Sequence, residues 1–248
     1  MTDAGTGDDG CATGSGGVPW SDRGLIGGGF EGDLGAADTF LLPALDDPGD
    51  EIALMTAVAR ARLLVPIVVR PPEVEDGAKA PTGRSTDMAV VTLTAPDGQR
   101  AFPVFSSLAT ILAWDPAARP CPVTSSRAGQ RAVTEGCDVM LLDCASPHEC
   151  VLRPSMVWAL AQQRVWLPAH TDPFVARALA RATANEDDVI DITGQAAGAG
   201  NLRVVLSLRA GLEAVQVQAL ATAIGERIAT DGEARARIDG LSFTVAQA

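Results

Sequence analysis

Hydrophobic and polar positions are most sharply patterned between Met88 and Ala145. MAVVTLT and the residues up to Phe105 flank Ala95-Pro96-Asp97-Gly98-Gln99, in which proline presets the turn, aspartate can bond its own backbone and glycine tolerates positive φ. The pattern predicts a hairpin. Ser106 or Ser107 is placed to cap a short helix through Trp114, and Asp115-Pro116 stops it. Pro120 and Pro122 keep the following segment extended. A helix is expected from Ser125 to Glu135, closed by Gly136, then a buried strand over Asp138 to Asp143 with Cys150 to Leu152 as its antiparallel neighbour.

Upstream, Asp47-Pro48 offers an N-cap and a first-turn proline for a helix carrying Ile52, Met55, Val58 and Ala59. LLVPIVV, Leu63 to Val69, reads as an edge strand or one that starts irregularly, because Pro66 has no N–H to give. Residues 72–86 read as a loop. Downstream, Pro154 opens a helix with Val157, Leu160 and Ala161 inward, and Trp166 to His170 reads as a linker. Asp172-Pro173 then caps a helix with Val175, Ala178, Leu179 and Ala182 on one stripe. Strands are expected at Val189 to Thr193 and Leu202 to Leu208, a helix through Val217, Leu220, Ala221, Ile224 and Ile228, and a closing strand at Leu241 to Val245. The fold class is α+β, in α/β layers: a mixed sheet with helices over 39–168, and a smaller α-β-β-α-β domain over 169–248 with helices on one sheet face.

Residues 1–38 hold 12 of the 25 glycines and no hydrophobic period, the composition of a disordered Gly/Asp-rich leader. Its GGGFEG, Gly27 to Gly32, matches G-x-G-x-x-G in letters but follows no strand, and Glu31 and Asp33 would repel a pyrophosphate. The net charge of -12 is also concentrated here: the first fifty residues contain ten acids and one Arg, against 21 acids and 18 bases in the rest. A near-neutral body offers no basic face, so neither nucleic acid nor an anionic membrane is an expected partner. There is no charged-then-apolar signal segment and no run of the roughly 18 apolar residues a membrane span requires. The expectation is a cytoplasmic protein whose five cysteines are reduced thiols. Eighteen of the 19 bases are Arg, a bias expected of a GC-rich bacterial genome.

LLVPIVV, the MAVVTLT hairpin with its PDG turn, PVFSS…L.AWDP.ARPCPV, VMLLD and PSMVWALAQ together resemble the SseB N-terminal-domain proteins of high-GC bacteria. The resemblance covers roughly residues 40–168 and is most specific from Phe102 to Pro122; LRVVLSLRAGLEA near Leu202 is similar to the carboxy-terminal segment of the same proteins. It implies an SseB-like α/β domain and an interaction-based role, and it brings no catalytic residues. The family name derives from enhanced serine sensitivity and is shared with a type III secretion component, but this chain lacks the long apolar helices of a secretion translocator.

Candidate chemistry is sparse. Cys137, Cys144, His148 and Cys150 approach a metal cluster, yet their gaps do not follow zinc-ligand spacing, and core packing explains the cysteines better. Ser106 and Ser107 are expected as caps; the histidines are His148 and His170, and no G-x-S-x-G elbow is present. Asp46-Asp47 and Asp187-Asp188 are adjacent acids in polar turns, with Glu186 completing a weak candidate cation site. No catalytic residue, metal site or cofactor is therefore assigned. Trp is over-represented at interface hot spots, so Phe105, Trp114, Pro116 and Trp158 form a candidate interaction patch. The reading is a non-enzymatic protein-interaction or regulatory module whose unidentified protein partner could be a second copy, pairing through an edge strand. The alternative is an enzyme or small-molecule binder with a site between the two domains.

Overall fold

The computed structural model describes residues 30, 32–69, 88–198 and 200–247. Segment 1–29, most of GGGFEG and the loop expected over 72–86 lie outside the described residues. The chain divides into two compact units, Met1–Leu152 and Arg153–Ala248.

In the first unit, α1 (Leu42–Asp46) has Pro43 in its first turn, and α2 (Glu51–Arg60) is capped by Asp50, whose side chain accepts from Ala53 N. The helix thus starts three residues after the expected Asp47-Pro48 cap. Its buried stripe is Leu54, Met55, Ala57 and Val58, so Met55 and Val58 point inward as expected. Ile52 and Ala59 instead face solvent, because they lie just outside the arc that a 3.6-residue period allows this stripe.

Strand β1 (Arg62–Val69) is not at an edge: it lies between β2 (Met88–Val90) and β5 (Arg119–Thr124), antiparallel to both. The prolines explain how. Leu64 N donates to Phe105 O and Phe105 N to Leu64 O, so Leu64 spends its backbone groups on the side away from β5. Leu64 and Pro122 are therefore a non-hydrogen-bonded pair, and by the two-residue period so are Pro66 and Pro120. Every missing N–H in this strand pair then falls where no β1–β5 bond is required, and Pro120 and Pro122 turn theirs to the outer edge of β5.

The expected hairpin forms between β3 (Leu93–Thr94) and β4 (Arg100–Val104). Gly98 has φ +88 and donates to Ala95 O at 2.9 Å, and Gln99 N donates to the Asp97 carboxylate at 3.0 Å. MAVVTLT is two strands rather than one, since β2 pairs with β1 and β3 with β4. Ser107 caps α3 (Leu108–Trp114) in a capping box with Thr110, and α4 (Ser125–Thr134) runs to Gly136 at φ +65. β4 is parallel to β6 (Val139–Leu142), which is antiparallel to β7 (Cys150–Leu152), giving the order β3-β4-β6-β7. The Leu64–Phe105 bonds stitch this sheet to the first. Phe102, Phe105, Leu63, Leu64, Met140 and Leu142 lie fully buried here.

The second unit contains α5 (Pro154–Ala161), α6 (Pro173–Thr183), β8 (Val189–Ala196), β9 (Asn201–Leu208), α7 (Ala214–Thr230), the short α8 (Gly232–Arg235) and β10 (Gly240–Gln247). The α-β-β-α-β grammar from α6 onward is as expected, and β9 is central, antiparallel to β8 and parallel to β10. Leu202, Val204, Leu206 and Leu208 alternate inward to meet Val175, Leu179, Ile224 and Ile228 from the helices. β8 continues through Gly194, where a loop was expected; an added Cβ there would approach Leu202 Cδ1 to 2.9 Å, which fits glycine to a tightly packed strand.

Trp166, read as linker, is buried, and its Nε1 donates to Ser155 Oγ at 3.0 Å. The same network supplies a cap that α5 lacks locally, since Arg153 makes no side-chain cap bond. Asp239 accepts from Ser155 N at 2.7 Å, from Ser155 Oγ at 2.8 Å and from Arg153 Nε at 3.0 Å. α5 is thus held by the segment just before β10.

Candidate functional site

Ser106, at the end of β4, meets Asp143, at the end of β6. The carboxylate accepts from Ser106 N at 2.7 Å and from Ser106 Oγ at 2.6 Å, and both residues are buried. Asp143 takes a left-handed φ of +50, donating its own N–H to Val104 O. The pair locks together the ends of two parallel strands. Beside it Arg62 donates to Asp33, Ala36 O and Ser106 O, while Arg62 N donates to Asp38. Leu108 N donates to Gly35 O at 2.7 Å. Residues 33–38, assigned to the leader by composition, are therefore bound in place around a buried guanidinium.

These groups are architectural. His148 Nδ1 lies 3.4 Å from Asp46 Oδ1 and His170 is exposed, so neither histidine is engaged with the buried Ser106 hydroxyl. Among the described residues, every buried side-chain nitrogen and oxygen has a partner, and no group of three His, Cys, Asp or Glu is placed to hold a metal. Glu186 of the candidate cation site is paired with Arg227. Cys137 and Cys144 are free buried thiols. Burial raises both thiol pKa values, that of Cys144 to about 11, with Glu149 and Asp143 adding to the rise.

The proposed patch is only partly a surface. Phe105 and Trp114 are in contact, with ring centroids 5.3 Å apart. Phe105 is 0% exposed, however, enclosed with Leu64, Leu108, Ile111, Ala118 and Cys144. It supports the Trp114 ring from beneath and has no face for a partner. Trp114 is half-buried and Pro116 exposed; Trp158 is 40% exposed in the second unit.

A second feature has no counterpart in the sequence reading. Phe40, Pro43, Ala44 and Asp47 line one side of an open cleft of about 460 Å³, and Asp50, Ala53, Thr56, Ala57 and Arg60 line the other. The second set recurs at three- and four-residue steps along α2 and its N-cap, which puts it on one helical stripe, while the first combines Pro43 and Ala44 of α1 with the flanking Phe40 and Asp47. The Arg60 guanidinium lies over the Phe40 ring at 5.3 Å, so one end of the cleft is cationic and aromatic, while Asp47 and Asp50 make the other end acidic. The floor is small and apolar. Thr56, the one hydroxyl in the lining, donates to Ile52 O at 2.7 Å. The signal in the sequence was the spacing of the small residues Ala53, Thr56 and Ala57, which reads equally well as ordinary helix surface.

One antiparallel and one mixed sheet with flanking helices make the first unit an α+β domain. Residues 41–159 match the family described as SseB protein N-terminal domain. The match bears out the resemblance carried by the hairpin, PVFSS and AWDP. No curated protein and no solved structure matches the chain.

Proposed function

We propose that this SseB-domain protein is a non-enzymatic interaction module that takes a short peptide segment of its partner into the α1–α2 cleft. The observation that carries the reading is the lining of that cleft: it offers apolar contact and fixed charge at both ends, and its one hydroxyl is already bonded to backbone. Such a site can bind and orient but has no nucleophile, acid or base converging on a substrate. α2 is ten residues long, about 15 Å at 1.5 Å per residue, a span matching four or five extended residues. The fitting segment has an acidic group for Arg60, small apolar residues in the middle and a basic group for Asp47 and Asp50.

Trp114 and Pro116 belong to the same reading as a second contact surface on this domain, and Trp158 as one on the other unit. A GC-rich bacterial source fits the arginine bias, and the cytoplasmic setting expected from the sequence belongs to the same proposal. No helix among the described residues is long and apolar enough to cross a membrane.

Selection of a random peptide library on the full chain tests the proposal. Enriched peptides are expected to share the acid–apolar–base order and to lose at least tenfold in affinity on Ala53→Trp, which fills the cleft from an exposed helix position. Peptides indifferent to Ala53→Trp but lost on Trp114→Ala would move the site to the Trp114 surface. No enrichment, together with a metabolite that raises the melting temperature, would favour the small-molecule alternative.

A further inference from the structure

Natural sheets protect their edges with prolines, charges, bulges or shortness, and most edges here do so. β5 turns Pro120 and Pro122 outward, β8 carries Asp191 and a register shift between Val189 and Asp191, and β2, β3 and β7 have three residues or fewer. β10 is the exception. It is eight residues long, GLSFTVAQ, with no proline, no charge and an unbroken register against β9 from Gly240 to Gln247. Among the described residues its other side pairs with no strand.

We infer that β10 pairs antiparallel with β10 of a second copy, about a two-fold axis at Thr244, joining two three-stranded sheets into one. This does not rest on the α1–α2 cleft. The argument for a second copy is that the strand complements itself. An axis at Thr244 sets Thr244 opposite Thr244, Phe243 opposite Val245 and Ser242 opposite Ala246, so threonine meets threonine and an aromatic meets a β-branched residue. Phe243 packs on the helix-covered core, and Val245, on the same face, is 38% exposed; the partner's Phe243 would cover it. Ser242, Thr244 and Ala246 are exposed on the other face, and no charge meets its like. Moving the axis to Ser242 would put Val245 opposite Asp239, a carboxylate already committed to Ser155 and Arg153. The outward N–H and C=O groups, which pair with no strand among the described residues of one copy, complete a ladder in two.

One strand pair is a small interface, so the dimer should be concentration-dependent rather than obligate. Sedimentation equilibrium of the full chain tests this with a charge exchange at the axis. Thr244→Lys and Thr244→Asp each place like charges face to face and should each leave monomers with unchanged circular dichroism. Mixing the two variants should restore the dimer, which a misfolded chain could not do. A parent that stays monomeric at all concentrations, a dimer that survives in both single variants, or monomers that fail to combine on mixing would each overturn the inference.

Discussion

Asp239→Ala should loosen the second unit well beyond what an ordinary surface change does. The carboxylate side chain is 8% exposed and its ion-pair partner Arg153 18%, so solvent compensates little for its loss. Removal cancels three hydrogen bonds of 2.7, 2.8 and 3.0 Å, uncaps α5, and takes the Asp239 carboxylate from Arg153. Hydrogen bonds to a charged group are worth about 1.5–3 kcal/mol each but are partly recovered by rearrangement, and breaking a buried pair costs about 3–5 kcal/mol. We expect a loss in that latter range for Asp239→Ala, and about 1–3 kcal/mol for Asp239→Asn, which keeps one acceptor oxygen. Urea unfolding followed by tryptophan emission is the assay, because Trp166 donates to the same Ser155 hydroxyl that donates to Asp239; a Trp166→Phe background identifies its share of the signal. Ser155→Ala combined with Asp239→Asn should be non-additive by about 1 kcal/mol or more, as expected of residues in one network. A change below about 0.5 kcal/mol, typical of an unremarkable surface site, or strict additivity with Ser155→Ala, would refute the assignment.

Other consequences follow from the same geometry. Gly35→Ala should destabilise the first unit by more than about 1 kcal/mol in urea unfolding, because Gly35 sits at φ +79 and an added Cβ would overlap the Leu108 side chain; a neutral result would show that residues 33–38 are not bound around Arg62. Cys144 has a folded pKa of about 11 against an ordinary 9.0, so the fold favours its neutral thiol. That preference is fully present below pH 9 and is lost as pH rises toward 11, so Cys144→Val should reduce the alkaline loss of stability, and native Cys144 should resist alkylation at neutral pH. Asp231 is held below the ordinary carboxylate range chiefly by its hydrogen bond from Arg181, helped by the backbone N–H groups of Ala234 and Glu233. Its contribution is present above that range and lost as pH falls through the lowered value, so Asp231→Asn should flatten the acid limb of a melting-temperature profile.

Local chemistry was legible where it was self-contained. The PDG turn, the Ser107 cap, the Gly136 stop and the α6 stripe each depend on residues within a few positions of one another, and each is found in the structure. What escaped the sequence depends on distant partners. Pro66 reads as an edge residue until Pro120 and Pro122 are seen across from it, with the missing N–H groups turned away from the shared ladder. Asp239 gives no sign that it caps a helix 84 residues earlier. Asp33 and Asp38 sit in glycine-rich sequence that looks like leader until Arg62 is found between them. The candidate site divides in the same way: Phe105 was identified as an aromatic of consequence, but its burial follows from α3 packing on β1 around it, and the α1–α2 cleft requires two helices to be juxtaposed.

The central claim, that the α1–α2 cleft receives a peptide, is tested most directly by amide hydrogen exchange of the full chain with and without a selected peptide. New protection is predicted from Phe40 to Arg60, together with loss of that protection in Ala53→Trp. Protection that appears only elsewhere in the chain, or that persists unchanged in Ala53→Trp, would contradict the account.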